Sequence, residues 1–360
     1  MLQPRPAAAG TSVCGNGRLN KLSAKWFLAL YACVLCCLAP LRPLWLDEVL
    51  QLSDCYHNSL WHTIDRVAHN PGGVPLTYVV QNIFVNALGH PFYAARLLAI
   101  LWAVGGMASL IWLVRLLGVS SDWLWPALAY ALLPISLRYA IEARQYGPAL
   151  ALGVCATALL LWLDQQPGWS RAVVYVFVLT LGIYSHPYIC FVTLAHMAWA
   201  YRRPAARYVL TACAISVLLF VPWYLFARSY WLEDVTRSSY PSSFAWKTPL
   251  MILHELSGGG YWLTGAMLAL AVYGYRRSQI PDSGKQLLLL CILVPVPSVL
   301  VANTLFRYFF AIRQLLFIVP PLCVLATEGL RAIENRARLV IVIALTIGAL
   351  VYDVRWFKLN

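Results

Sequence analysis

Three observations in this sequence predict an all-α, polytopic membrane protein. Of its 360 residues, 61% are hydrophobic and 11% charged, against about 45–50% and about 25% in an ordinary soluble domain. The apolar residues fall in closely spaced runs near the roughly 20 residues a helix needs to cross a bilayer, which leaves no room for a large soluble domain. The basic residues give a formal net charge of +13 but lie in short clusters between those runs. Membrane proteins distribute Lys and Arg over their cytoplasmic loops in this way, and the pattern excludes a nucleic-acid surface.

Residues 1–21 read as a polar, disordered cytoplasmic tail carrying Arg5, Arg18 and Lys21, ahead of a single membrane domain over 22–360. The run from Leu22 to Ala39 is longer than the h-region of a signal peptide and is followed by no small-x-small cleavage site, so it reads as a retained first span, about 22–41. Residues 42–95 form the first extracytoplasmic loop. Asp54, His57, His62, Asp65, Arg66 and His69 interrupt it, while Leu50, Leu60, Trp61, Ile64 and Val67 recur at helical spacing. That mixture predicts interfacial helices lying on the membrane. Asn70-Pro71-Gly72-Gly73-Val74-Pro75 is a turn signal, and the short apolar piece 76–88 reads as a re-entrant or interfacial helix.

Further spans are expected at about 97–117, 123–141, 147–163, 172–186, 188–201 and 208–227. A second, larger extracytoplasmic loop covers 228–260, and spans at 261–275, 286–303, 315–330 and 339–354 complete the chain. The total is about eleven spans. Counting 97–117 as outside-to-inside puts every compact basic cluster on the cytoplasmic side, including Arg202-Arg203, Arg276-Arg277 and Arg336 with Arg338. Most cysteines, such as Cys33, Cys36, Cys37, Cys155, Cys213, Cys291 and Cys323, lie within apolar runs and act as small hydrophobes.

This register delivers chemistry to one face. Leu44-Trp45-Leu46-Asp47-Glu48 places two carboxylates where the first span leaves the bilayer, a costly position unless water, a partner or a substrate meets them. Arg138, Glu142, Arg144 and Tyr146, then His186, then Arg307 and Arg313 reach the same face from separate helices. Convergent carboxylates, a histidine and several arginines describe a site that removes a proton while holding an anion. Arginine suits the anion because its planar fork stays charged and donates bidentately to phosphate.

Plainer readings stand beside these. Glu48 reads equally as a residue that positions Asp47 or pairs with an arginine. Glu142 with Arg144 reads as an interfacial ion pair, and Arg138 and Arg96 as snorkelling headgroup anchors. His57, His62 and His69 with Asp54 and Asp65 match no standard metal-ligand spacing, so no metal ligands are assigned. A divalent metal is compatible with the sequence and not required by it, and the cofactor is left unknown.

Trp45-Leu46-Asp47-Glu48, Pro75-Leu76-Thr77-Tyr78, Ala95-Arg96-Leu97-Leu98 and Glu142-Ala143-Arg144-Gln145-Tyr146 occur in that order. Together they resemble the GT-C superfamily of polytopic glycosyltransferases, most closely the bacterial branch of protein O-mannosyltransferases and lipid A aminoarabinose transferases. The likeness is densest over 40–165, and Arg313–Leu330 with Pro320-Pro321 is similar to the family's late span. Where the family has an acidic residue and a Pro-Pro pair before Leu-x-Tyr, this chain has Asn70 to Pro75.

The resemblance implies a polyprenyl-phosphate sugar as donor, a glycan, lipid or protein hydroxyl as acceptor, and a site on the extracytoplasmic side of a bacterial inner membrane. It implies Asp47 as general base with Glu48 beside it. Arg144 would hold the donor phosphate with His186, Arg307, Arg313 and Arg138, supported by Glu142 and Tyr146. The alternatives are a transporter or flippase for a lipid-linked or anionic substrate, and a non-catalytic protein that binds lipid-linked sugar. Charges gathered at one face, with no internal repeat, favour the enzyme.

Overall fold

A computed structural model describes residues 16–70, 72–119, 122–237, 248–256, 260–306 and 312–358. All regular structure among the described residues is helical. The first helix, α1, runs Asn16–Leu38 and so begins inside the segment expected to be a tail; the rest of that tail lies outside the described residues. The loop expected to hold interfacial helices contains α2 (Leu46–Cys55), α3 (Leu60–Ala68) and α4 (Pro75–Leu88).

Ser59 caps α3 by accepting from the His62 N–H at 3.2 Å. Pro75 opens α4, where its missing N–H costs nothing. Gly89 ends α4 at φ 69°, a left-handed conformation that glycine adopts without strain. At about 1.5 Å per residue, the 14 residues of α4 fall short of the roughly 30 Å of hydrocarbon.

The long helix α5 (Pro91–Leu116) follows. The span expected at 123–141 is broken into α6 (Leu124–Leu132) and α7 (Pro134–Ile141), bent by 74°. Pro134 lacks the N–H that would continue α6, and Leu133 before it is extended, as a residue preceding proline prefers. The chain continues through α8 (Tyr146–Gln165), α9 (Trp169–Ser185), α10 (Ile189–Ala200) and α11 (Ala206–Arg237). Ten residues of the expected second loop thus belong to the end of α11, and residues 238–247 lie outside the described residues.

The remaining helices are α12 (Thr248–Leu256), α13 (Tyr261–Arg277), α14 (Asp282–Leu293), α15 (Pro295–Phe306), α16 (Val319–Arg331) and α17 (Asn335–Lys358). A 3-10 segment, Ile312–Ile318, leads into α16. Among the described residues, seven segments are long and apolar enough to cross a membrane, or eight if the bent pair is one span. The other three expected spans fall on α9, α10 and α13, of 17, 12 and 17 residues. The protein is an integral membrane protein.

Two helices form its centre. In α8 and in the segment Arg313–Arg331, 89% and 94% of the apolar window is buried within the protein, against 22% for the first span and 17% for α17. The peripheral helices turn Leu30, Leu218 and Val340 outward, as lipid contact requires. Between α13 and α16 the backbones nearly touch. A Cβ at Gly274 would collide with the Leu325 carbonyl, and one at Gly329 with the Leu270 carbonyl. Small residues permit this close approach in membranes, where packing rather than water drives helix association.

Candidate active site

The turn between α7 and α8 and the start of α2 are tied together by one buried ion pair. Glu48 Oε1 accepts from Arg96 Nη1 at 2.5 Å and from the Ala143 N–H at 2.7 Å. Its Oε2 accepts from Arg96 Nη2 at 3.2 Å and from the Trp45 N–H at 3.1 Å. Arg96 also donates to the Ile141 carbonyl and, at 3.1 Å, to the Pro43 carbonyl. Their side chains are 5% and 1% exposed. Both Glu48 oxygens are committed, and Arg96 is an internal clamp rather than a headgroup anchor.

That clamp aims the neighbouring residues. Asp47, next in the first turn of α2, keeps 28% of its side chain exposed. Arg313 Nη2 lies 3.4 Å from Asp47 Oδ2 and Arg144 Nη2 lies 3.9 Å from it, both longer than the 2.7–2.9 Å typical of a tight charged hydrogen bond. Arg144 Nη1 is held separately, donating to the Asp47 carbonyl at 3.1 Å and to Gln51 Oε1 at 3.0 Å. The Nε atoms of Arg144 and Arg313 are buried with no hydrogen-bond partner. Each guanidinium therefore keeps an unfilled donor.

Burial alone would lower the Arg144 pKa, but Tyr78, Tyr146, Asp47 and Glu142 more than offset it and leave the pKa raised. Arg144 stays cationic. Burial pushes the Glu142 carboxyl up to about 8, with Glu48 adding to the shift and Arg313, Arg144 and Arg96 opposing it. Burial, then the Arg144 charge, hold His186 down at about 3, so its ring is neutral. The His186 Nδ1 accepts from the Tyr188 N–H at 3.2 Å, and its ring lies 5.9 Å from that of Tyr146, over which the Arg313 guanidinium sits at 5.6 Å.

The structure thus brings Asp47, Glu142, Arg144, Tyr146, His186 and Arg313 into one cluster. Arg138 stands at its edge, its guanidinium 5.3 Å from the Trp356 ring. Arg307 lies outside the described residues. Among the described residues no three His, Cys, Asp or Glu side chains converge as metal ligands. Asp54 instead pairs with Arg66 at 3.2 Å, and His69 stacks on Tyr230 at 3.9 Å.

Three participants were not singled out from sequence. From sequence Arg96 reads as an anchor, and Gln51 and Gln81 carry no assigned role. Gln51 stands one helical turn after Asp47 on the same face, and Gln81 is a polar residue in a short apolar helix. Both were readable signals. The opposite end of the bundle carries its own ion pairs, Asp164 with Arg203 and Asp122 with Arg331, at 2.6 and 2.5 Å. Since Asp164 lies at the far end of α8 from Tyr146, the two polar ends are about 30 Å apart, one hydrocarbon thickness.

No protein-family model matches the sequence, and no curated protein matches it significantly. Solved structures do. The Archaeoglobus fulgidus oligosaccharyltransferase in complex with Zn and sulfate superposes at a TM-score of 0.63 and 12% identity, over 92% of this chain and 52% of that one. The same organism's oligosaccharyltransferase AglB, bound to an inhibitory peptide and a dolichol-phosphate, gives 0.56 and 11%, over 91% and 55%. This is a GT-C fold. The chain spans about half the length of these GT-C proteins, and at this identity the likeness establishes the fold.

Proposed function

We propose that the protein is a glycosyltransferase that moves a hexosyl or pentosyl group from a polyprenyl-phosphate donor to an acceptor hydroxyl. The reaction takes place on the extracytoplasmic side of a bacterial cytoplasmic membrane. The observation that carries the proposal is the partly open Asp47 carboxylate, flanked by two guanidiniums whose Nε donors are buried and unfilled. A base lying between two anion-binding groups is what displacement of a phosphate by a hydroxyl requires. That a protein of this fold binds dolichol-phosphate is a precedent for the donor.

In the reaction Asp47 takes the proton of the acceptor hydroxyl as its oxygen forms a bond to the anomeric carbon. The bond from that carbon to the phosphate oxygen breaks, its electron pair leaves with the lipid phosphate, and the configuration inverts. Arg144 and Arg313 hold the phosphate, a singly charged diester in the donor that becomes a doubly charged monoester as the sugar leaves, and these contacts replace their long ones with Asp47 and free the carboxylate to act as base. Preorganised donors in a partly dry site stabilise the charge that develops there. Glu48 acts as a positioning residue through Arg96 and the Ala143 N–H. His186 and Tyr146 support Arg313, and Arg138 stands at the margin.

The test is transfer by the purified protein in nanodiscs, with a panel of polyprenyl-phosphate sugars and the lipid and glycan extract of a deletion strain as acceptor. Asp47→Asn is expected to lower kcat by about 10²–10⁴-fold with donor KM little changed. Turnover within a few-fold of wild type would remove Asp47 as the base.

A further inference from the structure

Beside Arg144, a small crevice opens between α2, α4, α5 and α8. Its polar wall is Gln51, Thr77, Gln81 and Arg144, and its apolar wall is led by Ala95, Leu98 and Trp102 of α5. Its volume is about 10 Å³, which is room for a single oxygen. Gln81 and Thr77 are 2% and 4% exposed. Gln81 Nε2, Thr77 Oγ1 and Arg144 Nε are all buried without a hydrogen-bond partner.

Three unmet polar groups on residues that line one oxygen-sized space are costly unless an occupant meets them. The other ends of these side chains are fixed. Gln51 Nε2 donates to Gln81 Oε1 at 2.5 Å and Gln51 Oε1 accepts from Arg144 Nη1 at 3.0 Å. This chain occupies the Gln81 amide oxygen and leaves its Nε2 donor unmet. The residues lining the space therefore hold two unmet N–H donors, one of them cationic, and a hydroxyl free to turn as a third.

A donor-rich, positively charged pocket suits an oxygen that only accepts. Leaving the pocket, Ala95, Leu98, Ala99 and Trp102 recur at i, i+3, i+4 and i+7 along α5, an apolar stripe on a membrane-crossing helix. We propose that this crevice binds a phosphoryl oxygen of a lipid-linked phosphate, with Gln81 and Thr77 as binding residues and the first carbons of the lipid on the α5 stripe. The assignment of that lipid to the sugar donor rests on the function proposed above; the crevice chemistry does not.

The probe is farnesyl phosphate, titrated by calorimetry into the full-length protein in phosphatidylcholine nanodiscs. Wild type is expected to bind it at least tenfold more tightly than farnesol. Gln81→Leu and Thr77→Val should each weaken binding about tenfold or more, as loss of a hydrogen bond to a charged group does, while Thr77→Ser retains it. Gln81→Glu keeps the shape of the side chain and places a carboxyl in the pocket, so it should abolish binding even if Gln81→Leu folds poorly.

Unchanged affinity in well-folded Gln81→Glu and Thr77→Val would overturn the proposal and leave the crevice as the seat of a structural water. Phosphatidate competing with farnesyl phosphate supports the phosphate site and names a bilayer lipid as its source; failure to compete supports the polyprenyl donor. Farnesyl phosphate binding without sugar transfer by wild type would retire the enzyme reading and keep the crevice. Transfer lost in Asp47→Asn but untouched in Gln81→Glu would do the reverse.

Discussion

Arg96→Met removes the guanidinium of the Arg96–Glu48 pair and keeps a side chain of similar length. Glu48 then retains only the Ala143 and Trp45 N–H groups, and its carboxylate, 1% exposed, stays buried without a counter-charge. The Ile141 and Pro43 carbonyls lose their donor as well. Breaking one side of a buried pair costs about 3–5 kcal/mol, a large share of the roughly 5–15 kcal/mol that holds a domain together.

The companion change Arg96→Met with Glu48→Leu removes both charges and should recover more than half of that loss, because a matched apolar pair is often neutral. The assay is reversible unfolding in mixed micelles of wild type, both single variants and the double variant, read as a coupling energy. About 2 kcal/mol or more is expected. A loss below about 0.5 kcal/mol for Arg96→Met, the size of an ordinary surface change, would refute the clamp and restore the headgroup-anchor reading.

Other measurements follow from the same geometry. Since the Glu142 pKa is raised from 4.5 to about 8, the folded protein keeps a proton there that the unfolded chain has released. Stability should fall as pH rises through that interval, and Glu142→Gln should remove that part of the slope; an equal slope in both proteins would refute the assignment. Arg144→Ala should raise the donor KM or collapse kcat, as measured in the nanodisc transfer assay, and indifference would move the phosphate elsewhere. Gly329→Leu should destabilise by about 1–3 kcal/mol or more, as overpacking does, and unfolding measurements showing no loss would mean that α13 and α16 can part freely. Thiols introduced at Ser53 and Arg202, both exposed, should label from opposite sides of the membrane once Cys33, Cys36 and Cys37 are replaced; labelling from one side would break the register.

Elements whose cause is local were legible in the sequence. The apolar runs gave α1, α5, α8, α11 and α17, and the polar interruptions gave the short helices between residues 42 and 95. The proline at 134 was visible, but a run of apolar residues on both sides concealed the 74° bend. At the site, ordering along the chain brought Asp47, Arg144, His186 and Arg313 to one face. The resemblance set Asp47 apart from Glu48 as the base, but left the part of Glu48 open between positioning Asp47 and pairing with an arginine, since its partner Arg96 lies 48 residues away. Gln51 and Gln81 escaped notice for the same reason. A glutamine in an apolar helix marks a position in the sequence, but its role follows only from its partner across the fold.

The unequal burial of the helices divides two kinds of adaptation. The cluster hangs from α8 and the segment leading into α16, which the rest of the bundle encloses, while the first span and α17 face outward along most of their length. A bilayer of different thickness or composition acts on outward faces, through tilt and mismatch. Sequence change that fits the protein to a new membrane can therefore accumulate on its periphery without disturbing the geometry around Asp47. Changes in α8 or α16 are felt at the cluster wherever they fall.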